Sequence, residues 1–297
     1  MLVDAAVIFF LIIEIVLYTF QSFLGRKYAE HYPGSAGDGA SVLTVCNGLA
    51  AALMSFALAG FSFEWNALTV ILGICNAIML FLYNVSLVTA SKTGPYSVLM
   101  VFMIAGGILI PTGTATFFGE YPSIGKLLSV LAVLIGVYLV SQKGMEAYTD
   151  KRIFYLACTG LALCNGAYGS LLNAQQQLTG EALKNEMVCV TFFGSMLFSA
   201  LYVLYQKRGS FGKTFRQTKK SGFYLASCAF VSACAVSFMV RLIAMVGNVT
   251  VLYTFDNTGV LLVSVILSWL FLKERLTVKN VVGCVLMCAA LVGVSVL

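Results

Sequence analysis

Long apolar stretches separated by short polar turns make up almost the whole chain. Ten such runs lie at about 3–24, 41–61, 66–90, 95–118, 123–142, 153–176, 183–206, 221–246, 249–272 and 278–297. A helix of about 20 residues rises roughly 30 Å, the depth of a bilayer's hydrocarbon layer, so each run predicts a membrane-crossing helix. Short connections make consecutive helices antiparallel neighbours. The last two runs, joined by Lys273-Glu274-Arg275, read as a helical hairpin. The first half holds the same object: Pro95–Phe118, the turn Gly119-Glu120-Tyr121-Pro122-Ser123, then Ile124–Gln142. Glu120 and Glu274 stand 154 residues apart, about half the chain. The polar segment KGMEAYTDKR divides five runs from five, which predicts two repeats, residues 1–146 and 147–297. An odd number of crossings per repeat makes the second enter from the opposite face. The expected fold is an all-α membrane protein of ten transmembrane helices in two inverted five-helix repeats.

Composition narrows the class. The chain is 60% hydrophobic and 10% charged, against roughly 25% charged in soluble domains; lipid must therefore solvate most of it. The net charge of +6 does not point to nucleic acid, because Lys and Arg sit in the turns. Fifteen of the 18 fall in loops after odd-numbered runs, which places those loops in the cytoplasm and both termini outside. Nine cysteines without a CxxC read as small apolar packing residues, not metal ligands or disulfides. The start MLVDAAVIFF has no basic segment before its apolar run, so no cleaved leader is expected. A multi-pass protein of the cytoplasmic membrane follows, with no cofactor, no metal, lipid and a small-molecule solute as partners, and a monomeric or homodimeric state.

Two segments carry a resemblance. LGICNAIMLFLYNVSLVTASKTGPYSVLMVFM followed by FFGEYPSIGKLLSVLAVLIGVYLVS is similar to the third to fifth spans of the EamA-like branch of the drug/metabolite transporter superfamily. VSFMVRLIAMVGNVTVLYTFDNTGVLLVSVILSWLFLKERLTVKNVVGCVLMCAALVGVSVL repeats the pattern in the second half. The resemblance implies a ten-helix, two-repeat carrier that moves small organic solutes by alternating access. It also implies cytoplasmic termini, opposite to the charge distribution.

Polar residues at membrane depth are the candidates for chemistry. Glu14 lies inside the first run; a charged carboxylate there costs about 2.5–3.5 kcal/mol on insertion scales, so it should be protonated, paired or facing a wet cavity. Arg241 and Asp256 flank the turn near Gly247, at ~9 and ~13 Å along antiparallel helices, and predict an intramembrane ion pair with Asn257 and Thr258 beside it. Aligning Tyr18 with Tyr168 sets Glu14 opposite Cys164, next to Asn165. Asn76, Tyr83 and Asn84 in the third run, Asn173 and Gln175–Gln177 in the sixth, and Tyr253 in the ninth are further lining candidates. Gly106, Gly107, Pro111 and Gly113 read as a weak point where a gate bends. Glu120 and Glu274 are expected to hold the hairpin turns, and Trp65 and Trp269 to anchor span ends at the interface.

The leading function is a secondary carrier for a small organic metabolite, an amino acid, an amine or a drug-like cation, driven by protons or by exchange. A lipid-linked-sugar flippase would need a lateral opening to lipid, and a receptor or scaffold would have a dry, packed centre. No Ser/His/Asp, Cys/His or paired-carboxylate arrangement stands at catalytic spacing, so no enzyme is expected.

Overall fold

The computed structural model describes residues 5–94, 96–141, 149–180, 183–207, 215–246, 249–272 and 277–296, and among these there is helix and no strand. The helices are α1 (Ala5–His31), α2 (Ala36–Leu58), α3 (Ala67–Thr93), α4 (Tyr96–Ala115), α5 (Ile124–Ser141), α6 (Lys151–Thr179), α7 (Lys184–Lys207), α8 (Gly222–Val246), α9 (Val249–Leu272) and α10 (Val278–Val296). Short 3-10 turns follow α4 (Thr116–Phe118) and precede α8 (Gln217–Lys220). Each apolar run of the sequence falls on one of these helices. The Lys273-Glu274-Arg275 turn and the side chain of Trp269 lie outside the described residues.

Local chemistry sets several ends. Ser35 caps α2 by accepting from Asp38 N, Asn66 caps α3 by accepting from Leu68 N, and Asp150 caps α6 by accepting from Arg152 N; each satisfies a backbone donor that the first helical turn leaves open. The polar connection expected at 25–40 is mostly helix. α1 continues to His31 because Tyr28 and Ala29 are buried there and Glu30 pairs with Arg26 and Lys27.

Among the described residues, six helical segments are long and apolar enough to cross a membrane: Ala5–His31, Ala36–Leu58, Ala67–Thr93, Val98–Phe118, Lys184–Tyr205 and Gly222–Val246. Shorter apolar stretches occupy Ile124–Leu139, Val251–Leu267 and Val281–Gly293. α6 is the amphipathic one, burying Ser170, Asn173 and Gln175 on its inner face. α1 shows the arrangement most plainly. Ile8, Phe9, Ile12, Val16 and Phe20 face out, while Val7, Leu11, Glu14 and Ser22 face in. Apolar side chains outside and polar ones inside suit a lipid surround.

α2 packs on α7, α3 on α6 and α7, α8 on α1 and α2, α4 on α6, and α9 on α1 and α4; α5 and α10 pair with each other. The α4–α6 crossing is tight: a Cβ on Gly106 would meet the Ala162 backbone, and one on Gly166 would meet the carbonyl of Gly106. α4 runs unbroken through Pro111. Gly106 thus serves close packing, not the bending expected of it. Two apolar clusters stand at the two ends of α1, one around Val7, Leu11, Met187 and Val240, the other around Tyr28, Tyr32, Leu43 and Leu225. Between them lies a cavity with a largely apolar wall that carries several buried polar side chains.

Candidate functional site

The cavity has a volume of about 90 Å³ and is built from eight helices. α1 contributes Glu14, Tyr18 and Gln21, α2 Asn47, α3 Leu80, Tyr83 and Asn84, and α4 Gly107. α6 adds Asn165, Tyr168 and Gly169, α7 Phe192, α8 Ser232, Ala235, Val236 and Met239, and α9 Tyr253, Asp256 and Asn257. On each helix the spacing keeps these residues on one face; Glu14, Tyr18 and Gln21 are four and then three apart.

Glu14 and Asp256 are the centre of the site. They are 2% and 1% exposed, and they share one cavity, one on α1 and one on α9. Glu14 Oε2 and Asp256 Oδ1 have no hydrogen-bond partner within the protein. Unit charges 4 Å apart repel by about 4 kcal/mol at an effective dielectric near 20, and among the described residues no Lys or Arg lines the cavity to offset this. The pair therefore calls for a cation, either a proton or a charged group on a solute.

A frame of hydrogen bonds orients the neighbouring groups. Tyr18 OH donates to Asn165 Oδ1 at 3.0 Å, and Asn165 Nδ2 donates to Met103 O at 2.9 Å. Asn257 Nδ2 donates to Tyr253 O at 2.9 Å and to Gly107 O at 3.5 Å, which fixes its amide with Oδ1 unpaired. Tyr253 OH donates to Gly169 O at 3.0 Å. Thr19 Oγ1, bonded to Ile15 O at 2.7 Å and Val260 O at 3.4 Å, ties α1 to α9 beside the acids. A Cβ on Gly107 would collide with the amides of both Asn165 and Asn257; this glycine makes room for side chains of the cavity.

Nine residues picked out by sequence converge here: Glu14, Tyr18, Tyr83, Asn84, Asn165, Tyr168, Tyr253, Asp256 and Asn257. Arg241 does not, and the expected ion pair with Asp256 is corrected. The inward stripe of α8 includes Val236 and Met239, and two residues of helix turn about 200°, so Arg241 points outward and is exposed. Depth along the helices was compatible with a pair; rotation was not. Asn76 is fully buried beside the cavity but does not line it, and neither amide atom has a partner within the protein. Asn173 and Thr258 are likewise buried away from the lining. Gln175 instead donates to Thr69 Oγ1 and Thr179 Oγ1, and with Gln176 and Lys184 borders a separate, smaller pocket.

Sequence reasoning passed over Gln21, Asn47, Ser232 and the apolar wall of Leu80, Phe192, Val236 and Met239. Gln21 could have been found, being seven residues from Glu14 on the same face. Asn47 could have been found as the one Asn in its apolar run. The apolar wall carries no local mark that separates it from ordinary packing.

A family model described as the EamA-like transporter family matches residues 153–296. A solved structure described only as "Crystal structure of protein" is similar over 97% of this chain and 98% of that chain, with a TM-score of 0.69 and 12% identity; at that identity the likeness speaks for the fold alone. A search of curated proteins finds no match.

Proposed function

We propose that the chain, whose residues 153–296 match the EamA-like transporter family, is a secondary carrier moving a small organic solute through the central cavity by alternating access. The observation that carries this reading is the buried acid pair in a cavity between the apolar clusters at the two ends of α1, clusters that can act as gates. A cavity with buried polar side chains in that position is not the dry centre of a scaffold.

The protein works as two inverted five-helix units, 1–146 and 147–297. Helix packing supports this reading. Exchanging each helix with the one five places away turns the α3–α6 contact into α8–α1, α3–α7 into α8–α2 and α4–α6 into α9–α1, all of which are present. The self-paired contacts α2–α7, α4–α9 and α5–α10 lie on the implied axis. An offset of 150 residues sets Tyr18 over Tyr168 and Gly107 over Asn257, all four in the cavity lining.

Glu14 belongs to one unit and Asp256 to the other. Ionised together, they push the units apart across the α1–α9 contact. Neutralised by a proton or by a solute cation, they let the units close and then reopen on the other side. Proton and solute compete for one acid pair, so the movement of one is exchanged for the other. Apparent solute affinity should then fall as pH is lowered and protons occupy the pair. Protein in liposomes with an imposed pH gradient tests this: solute accumulation driven by the gradient is expected to drop at least tenfold in Glu14→Gln and in Asp256→Asn. Transport that ignores both the gradient and the substitutions would refute the coupling.

A further inference from the structure

The hydrogen-bonding inventory of the cavity narrows the solute beyond the carrier reading, on which this inference rests. Among the fully buried side-chain atoms of the described lining residues, four acceptors have no partner within the protein: Glu14 Oε2, Asp256 Oδ1, Asn47 Oδ1 and Asn257 Oδ1. Against them stands one donor in the same condition, Asn84 Nδ2. All five belong to residues no more than 4% exposed, where an unmet polar atom costs about 1–3 kcal/mol. The best ligand for such a surface brings several donors and few acceptors.

We propose that the cavity takes a small organic ammonium ion bearing no carboxylate. An –NH₃⁺ group offers three donors, no acceptor and the charge that the acid pair lacks. A carboxylate offers only acceptors and a negative charge, and among the described residues no Lys or Arg lines the cavity to meet it. This separates amines from amino acids, which share the ammonium but add the wrong group. The apolar part of the lining, with Leu80, Phe192, Val236 and Met239, suits a short hydrocarbon tail. At roughly 30 Å³ per water in the liquid, a cavity of about 90 Å³ has room for on the order of three waters, which suits a small head group.

Three compounds with one branched tail isolate the head group: isoamylamine, leucine and 4-methylpentanoate. Titration calorimetry on the detergent-solubilised full chain at neutral pH should show the amine binding at least tenfold more tightly than leucine, with no heat from the anion. Asp256→Asn should weaken the amine at least tenfold and Arg241→Gln less than twofold, with helical circular dichroism reporting that each variant is folded. A folded wild-type chain that fails to bind the amine, or binds leucine or the anion as tightly, overturns the inference. Counterflow in liposomes separates this from the carrier reading. An amine that binds but is not moved sinks the carrier and keeps the site; leucine moved in place of the amine, and blocked by Asn257→Leu, keeps the carrier and sinks the amine.

Discussion

Asn165 is held at both ends of its amide, accepting from Tyr18 OH and donating to Met103 O, and it shows what a single side chain contributes in this cavity. Interhelical hydrogen bonds in membrane proteins contribute about 0.6 kcal/mol on average, so Tyr18→Phe should lower thermal stability only slightly. The same change leaves Asn165 Oδ1 as a further unmet acceptor facing the solute, so its effect should appear in transport affinity; denaturation and uptake measured side by side would show a split between the two. Arg241 gives the contrasting case. A buried ion pair that loses one partner costs about 3–5 kcal/mol, whereas an exposed arginine costs next to nothing. Arg241→Gln is expected to melt within a degree or two of wild type, and a large loss would restore the pairing with Asp256. These two residues also mark what was legible at this scale. That Glu14 and Asp256 are candidates follows from charges inside apolar runs. That they share one cavity does not, since no local pattern links residues on the first and ninth helices.

At the scale of helices, apolar periodicity located every described helix and misjudged what some of them do. α1 outruns its apolar stretch because Tyr28 and Tyr32 pack into a terminal cluster, a tertiary cause that composition does not announce. α6 reads as one more apolar run, yet it brings Asn165 and Tyr168 to the cavity while Gln175 and Gln176 border a separate pocket. Glycines on α4 looked like breaks and are mostly contacts. Gly106 faces the Ala162 backbone, whereas a Cβ on Gly113 would meet nothing within 4 Å. Gly106→Val should force α4 from α6 and destabilise the fold by about 1–3 kcal/mol, the usual penalty for overpacking. Gly113→Ala on the same helix should be neutral or stabilise by roughly 0.5–1 kcal/mol through helix propensity. Thermal unfolding in detergent would separate the two, and equal effects would argue that α4 bends after all.

For the molecule as a whole, the pairing of helix with helix contains two kinds of crossing related by the proposed exchange of units. At α4–α6 glycine meets backbone and leaves no slack; at α1–α9 the related crossing holds the two acids and Thr19. A carrier built this way should keep α4–α6 fixed and move at α1–α9, because only the second contact changes its charge with occupancy. The end clusters then open in turn. In a background without the nine native cysteines, Val7→Cys and Tyr28→Cys report on the two ends of α1. Saturating amine, or a shift to low pH, is expected to change their reactivity toward a water-soluble thiol reagent in opposite senses. Two sites that brighten or fade together would mean that the bundle breathes without alternating, and the acid pair would then be a binding site inside something other than a carrier.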